Sequence, residues 1–231
     1  MYFDTTYLLV LPAIILAIYA QHKVSSTYRK FSGVRNKKGY TGADVARQLL
    51  LTSNIRDVRV EPIAGNLTDH YDPRDKVLRL SEGVYNSVSL SAVGIAAHET
   101  GHAIQHDKGY APLEIRNTIV PAANIGSKLA FPLIFLGFIL SSGTGSIGML
   151  MINIGILLFS LTVLFQLVTL PVEFNASNRA IELLGEYHYL TEDELGPAKK
   201  VLSAAALTYV AAALTAISNL ARFILLSNRR R

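Results

Sequence analysis

A mainly α-helical protein that crosses a membrane several times and carries one small α+β segment is the fold class this sequence predicts, on three observations. The chain is 50% hydrophobic, and those residues gather into four long apolar runs instead of spreading evenly over its 231 positions. Two short stretches between the first and second runs alternate as strands do. The same interval holds a segment of helical period in which two histidines stand four residues apart.

Residues 1–22 read as an N-terminal transmembrane anchor built on the run Tyr7 to Ala20. That run is short for a hydrocarbon core that takes about 20 helical residues. Tyr2 and Phe3 before it, and Tyr19, His22 and Lys23 after it, extend the usable span into the interface. A cleaved leader would need a basic start and a small-residue cleavage site. Asp4 is the only charged residue ahead of the run and Gln21-His22-Lys23 follows it, so the anchor is expected to be retained.

Residues 23–118 form a soluble segment. Val24 to Lys38 is polar and basic without a sustained period. A helix is expected next: Thr41 can cap its free amides, Asp44 sits in the first turn, Val45, Leu49 and Leu50 make the apolar stripe, and Ser53-Asn54 ends it. Val58 to Pro62 and Lys76 to Leu80 are expected as a small strand pair joined by a long loop rich in turn formers, either a structural hairpin or an edge able to pair with an extended substrate. A second helix is expected from about Ala92 to Asp107, capped by Asn86, Ser89 or Ser91 and stopped by Gly109 and Pro112. At 100° per residue, Val93, Ala96, Ala97, Thr100, Ala103 and Ile104 fall on one side of it, and His98, Glu99, His102 and His106 on the other.

Residues 119–170 read as a transmembrane helical hairpin, with runs Pro121 to Leu140 and Ile147 to Leu170 around the uncharged turn Ser141 to Ser146. Residues 171–200 read as an interfacial segment, and 201–231 as a C-terminal transmembrane or re-entrant helix in which Arg222 can snorkel toward the headgroups. Residues 21–118 carry 14 Lys or Arg against 10 Asp or Glu, which assigns this loop to the cytoplasm. Four simple crossings then leave Arg229, Arg230 and Arg231 outside, against the same rule, so sidedness and the path of the last run stay open. The net charge of +5 lies beside membrane segments and is matched to anionic headgroups, not nucleic acid. With no cysteine, disulfide scaffolds and thiolate metal sites are excluded.

His98-Glu99-Thr100-Gly101-His102 is an H-E-x-x-H motif. Histidines four apart lie one above the other on a helix, so two imidazoles can converge on one zinc ion at about 2.0 to 2.1 Å. Glu99 is displaced to the side, where its carboxylate can take a proton from water acidified by that ion. The residue frequencies of this chain give a chance match of roughly 1%. A catalytic zinc commonly has a third protein ligand, for which Glu173 and His106 are candidates. On an ideal helix His98 and His106 stand about 12 Å apart, too far to share an ion, whereas the hairpin returns Glu173 to the side of the membrane that holds His98. His106 is left to orient water, to support a ligand, or to end the helix. Arg179 is a candidate for contacting a carboxylate or the oxyanion, Asn175 (with Asn178) for orienting ligands, and His70 for donating to the oxyanion.

The tyrosine-rich anchor, the block His98-Glu-Thr-Gly-His-Ala-Ile-Gln-His106, the stretch Asn86-Ser-Val-Ser-Leu-Ser-Ala-Val-Gly94 and the block Pro171-Val-Glu-Phe-Asn-Ala-Ser177 resemble the YugP-like neutral zinc metallopeptidases of bacteria over almost the whole chain. More distantly the chain is similar to M48-type membrane peptidases. The resemblance implies a gluzincin-like zinc metallopeptidase of the bacterial plasma membrane, a zincin-like catalytic segment, one zinc ion per chain on His98, His102 and Glu173, and Glu99 as general base. Those relatives often have an aspartate where Ser177 stands, so the contacts behind the ligands are not carried over. The expected substrates are membrane-associated or locally unfolded proteins, cut near the cytoplasmic surface. A hydrolase of amide or lipid-linked substrates, and a membrane scaffold with structural zinc, are the competing readings. Oligomeric state is not specified by the sequence.

Overall fold

The computed structural model describes residues 5–141 and 145–229. Tyr2, Phe3 and Asp4, the middle of the 141–146 turn, and Arg230 and Arg231 lie outside the described residues. The elements run α1 (Tyr7–Ser32), α2 (Gly42–Thr52), β1 (Arg59–Ile63), β2 (His70–Asp72), β3 (Val77–Ser81), α3 (Glu82–Tyr85), α4 (Leu90–Asp107), α5 (Ala111–Leu140), α6 (Gly145–Glu186) and α7 (Glu192–Asn228). The protein is mainly α-helical, with α1, α5, α6 and α7 each long and apolar enough to cross a membrane. It is a multi-pass membrane protein.

The long helices outrun their apolar runs. Past Ala20, α1 continues through the polar stretch to Ser32, where Arg29 and Lys30 in the last turn complement the negative end of the helix dipole. The helix α6 does not stop at Leu170 but passes through Pro171 to Glu186. The last run belongs to one continuous helix of 37 residues, not to a broken re-entrant element. Its entrance is fixed by Glu194, whose Oε2 accepts from the Thr191 amide at 2.9 Å.

Two compact units divide the chain: residues 1–19, 115–170 and 209–231 in the first, and 20–114 and 171–208 in the second. In the first, α5, α6 and α7 pack around Ala130, Ile134, Phe159, Val163, Ala216 and Phe223. Phe131, Phe159 and Phe223 stand edge to face, with centroids 5.4 to 5.5 Å apart, the arrangement favoured by the ring quadrupole. At Gly126 a side chain would meet the Leu158 carbonyl oxygen at 2.5 Å, so α5 and α6 approach backbone to backbone there. Near the end of α7 the Arg222 guanidinium lies 3.7 Å from the Tyr7 ring centre, and its Nε donates to Thr6 Oγ1 at 3.2 Å.

In the second unit, α2 has the expected Thr41 cap, and Asp44 completes it as a capping box: Thr41 Oγ1 accepts from the Asp44 amide and Asp44 accepts from the Thr41 amide. Ser53 is its C-cap, and Asn54 follows in the left-handed region at φ 59°. Ser89 is the N-cap of α4. The strands differ from the expected hairpin. β1 and β3 are paired, but in parallel, and the loop between them contains the additional strand β2, antiparallel to β3, giving the order β1-β3-β2. Parallel neighbours cannot be joined by a tight turn, so the chain runs out through β2 and returns. Val77, Leu78 and Leu80 make β3 the buried central strand. Leu78, Leu80 and Val84 pack against Ala46 of α2 and Ala92 and Ala96 of α4, while Val93 and Ala97 meet Ala180 and Leu184 of α6 and Ala198 and Val201 of α7. α4 is therefore covered on nearly all sides, and its few polar side chains are enclosed with it.

Candidate metal centre

The structure brings together three side chains on two helices, His98 and His102 of α4 and Glu173 of α6. Their ligand atoms all lie within 4.8 Å of one another. Glu173 Oε2 is 3.2 Å from His98 Nε2 and 3.6 Å from His102 Nε2. The rings stand edge to face, 4.8 Å between centroids, as helical spacing of four dictates. The reason α6 comes near enough is Gly101, inside the motif: a methyl group there would stand 2.8 Å from the Ala176 carbonyl oxygen.

This cluster fits a metal ion. Tetrahedral ligands at about 2.0 to 2.1 Å from zinc stand about 3.3 Å from each other, close to the two nitrogen-oxygen separations present. Each imidazole is also held from behind at Nδ1, which leaves Nε2 for the ion: His98 by Ser177 Oγ at 3.1 Å and His102 by Gln105 Oε1 at 3.0 Å. Two neutral nitrogens and a carboxylate oxygen are a donor set suited to zinc. Glu173 is 4% exposed, a burial that a carboxylate tolerates when it is paired or coordinates a metal.

Glu99 lies beside the cluster, and no side-chain hydrogen bond engages it among the described residues. Burial pushes its carboxyl up to about 7; Glu173 and Asp69 push the same way, and His98 and His70 oppose them. Asp69 is raised by burial too, although the Ser81 amide and hydroxyl both donate to it. His70, at the start of β2, acts electrostatically on Glu99, while its Nδ1 is 2.8 Å from the Thr68 carbonyl oxygen.

The remaining candidates sit elsewhere. His106 is turned away from the cluster to Tyr71 of β2, with Nδ1 2.8 Å from the phenolic oxygen. Arg179 donates Nε to Asn175 Oδ1 at 2.8 Å and lines a separate cavity of about 410 Å³ with Lys108, Glu182 and Glu186. Asn175 meets Gln105 and Arg179, not a ligand. Gln105 is the residue that sequence reasoning missed. Its one available signal was the i, i+3 spacing from His102. Ser177 places a neutral hydroxyl behind His98.

Comparison with known proteins agrees with this geometry. A family described as "Putative neutral zinc metallopeptidase" matches residues 6–228. The chain is 48% identical over 218 residues to the "Putative membrane protease YugP" of Bacillus subtilis (strain 168), covering 94% of each chain. No solved structure matches it significantly.

Proposed function

The chain belongs to the neutral zinc metallopeptidase family, and from that membership we propose that it is a zinc-dependent endopeptidase in which His98, His102 and Glu173 hold one ion and Glu99 is the general base. The observation that carries this reading is the convergence of Glu173 Oε2 on both imidazole Nε2 atoms, with an unengaged carboxyl, Glu99, beside them. The bound zinc would polarise the substrate carbonyl and acidify a water molecule. Glu99 accepts the proton of that water and returns it to the departing amine, a task open to a carboxylate that no side-chain hydrogen bond engages among the described residues. Ser177 and Gln105 keep the imidazoles in place while the proton moves. A structural-zinc scaffold would need a fourth protein ligand, and none joins the three among the described residues.

The relative's printed name, a membrane protease, and the four long apolar helices favour peptide bonds of membrane-associated or locally unfolded proteins as substrate. The excess of basic residues in 21–118 favours the cytoplasmic side of a bacterial plasma membrane for the site. The test is Glu99→Gln in the full chain, purified in detergent. We expect one zinc per chain to be retained and cleavage of an unfolded protein substrate to fall by at least 100-fold. Full cleavage by the variant, or a wild-type protein without zinc, would refute the reading.

A further inference from the structure

Gln105 is fully buried, at 0% exposed, and each of its polar atoms faces a partner. Nε2 donates to the Val172 carbonyl oxygen at 2.8 Å and to Asn175 Oδ1 at 2.9 Å, while Oε1 faces His102 Nδ1 at 3.0 Å. Which end of a glutamine amide is oxygen has to be decided from its partners, and here the partners decide it. Arg179 can only donate, so the Asn175 atom that meets its Nε is the oxygen. That same oxygen faces Gln105, so the Gln105 atom there is the nitrogen. The Val172 carbonyl, which can only accept, requires the same orientation independently. Gln105 therefore presents its oxygen to His102. Nδ1 of that imidazole must carry the hydrogen, and Nε2 keeps its lone pair on the side of Glu173. His98 is under no such constraint, because the hydroxyl of Ser177 can either donate or accept.

We propose that Gln105 is a positioning residue of the metal centre: it fixes the tautomer and ring direction of His102 and ties that ligand to the backbone next to Glu173, with Asn175 and Arg179 locking the orientation of its amide. The inference rests on the zinc assignment above and adds to it a device for assembling the ligands. Val172 directly precedes Glu173, so a single amide registers one turn of α4 against the turn of α6 that supplies the third ligand. Arg179 acts on the centre through three successive hydrogen bonds and not by touching the reacting atoms.

The experiment measures zinc affinity of the full-length chain in detergent by competition with a chromophoric chelator, with the visible spectrum of the cobalt-substituted protein as a second readout. Gln105→Met matches the length of glutamine without an acceptor and is expected to weaken zinc binding by about 10- to 100-fold and to alter the cobalt spectrum. Gln105→Glu keeps an acceptor for Nδ1–H and is expected to bind more tightly than the methionine variant. A packing role alone predicts the opposite order, since methionine suits a buried site and glutamate does not. Equal affinities, or glutamate weaker than methionine, would overturn the proposal. Should neither variant fold, Asn175→Ala, at a half-buried position, is expected to weaken zinc binding by about 3- to 10-fold, and unchanged affinity there would overturn it. A wild-type protein that binds no zinc would remove the metal assignment itself, whereas wild-type binding with an unaffected Gln105→Met removes only the role of Gln105.

Discussion

Gly101 and Ala176 meet backbone to backbone: a methyl group on Gly101 would lie 2.8 Å from the Ala176 carbonyl oxygen and 3.2 Å from its α-carbon. The glycine of the histidine motif thus sets the distance between the helix bearing His98 and His102 and the helix bearing Glu173. Gly101→Ala has nowhere to place its methyl group without separating them. Overpacking of this kind costs about 1 to 3 kcal/mol, and the separation should weaken metal binding as well. Thermal unfolding of the metal-free protein and a zinc titration measure the two effects. A variant as stable as the wild type, with unchanged affinity, would show that the helices have room to spare.

The raised pKa of Glu99 makes stability depend on pH in a definite direction. Its carboxyl stands at about 7 in the folded protein against an ordinary 4.5, so the fold favours the protonated form. The corresponding stability is fully present below about pH 4.5 and is lost as pH rises through about 7. In metal-stripped protein, the difference in unfolding temperature between the wild type and Glu99→Gln should shift against the wild type from pH 5 to pH 8. Parallel curves for the two proteins would contradict it. A bound cation favours the carboxylate form, so cleavage should decline as pH drops toward the acid range because the base must be ionised.

Arg222 rests over the Tyr7 ring and donates to Thr6, whose side chain is buried at 4% exposure. Arg222→Met retains bulk and loses both interactions, and should cost about 1 to 2 kcal/mol. Unfolding by a denaturing detergent, followed through tyrosine fluorescence, tests this, and an unchanged midpoint would show the contacts to be incidental.

Some of these features are legible in the sequence because they are local. The capping box of Thr41 and Asp44, the Ser89 cap and the face shared by His98, Glu99 and His102 depend only on residues within two turns of one another. The long apolar runs announce their helices in the same way. Others depend on partners far along the chain. Gln105 is one amide on a helix until Val172, 67 residues on, supplies its acceptor. Ser177 has no evident function until His98, 79 residues earlier, faces its hydroxyl. β2 is three residues long, too short to display a period, and its omission is why β1 and β3 read as a hairpin instead of parallel neighbours. The polar residues from Val24 onward hide the continuation of α1 for the same reason: their helix is held by neighbours and dipole, not by an apolar stripe.

The order β1-β3-β2 leaves two outer strands with unpaired backbone, the usual route by which copies of a protein aggregate. Neither offers much to a colliding copy. β1 carries Glu61 and Pro62, a repelling charge followed by a position without a donor, and β2 presents only His70, Tyr71 and Asp72. Crowded side by side in a bilayer, molecules of this protein are thereby discouraged from zipping together strand on strand.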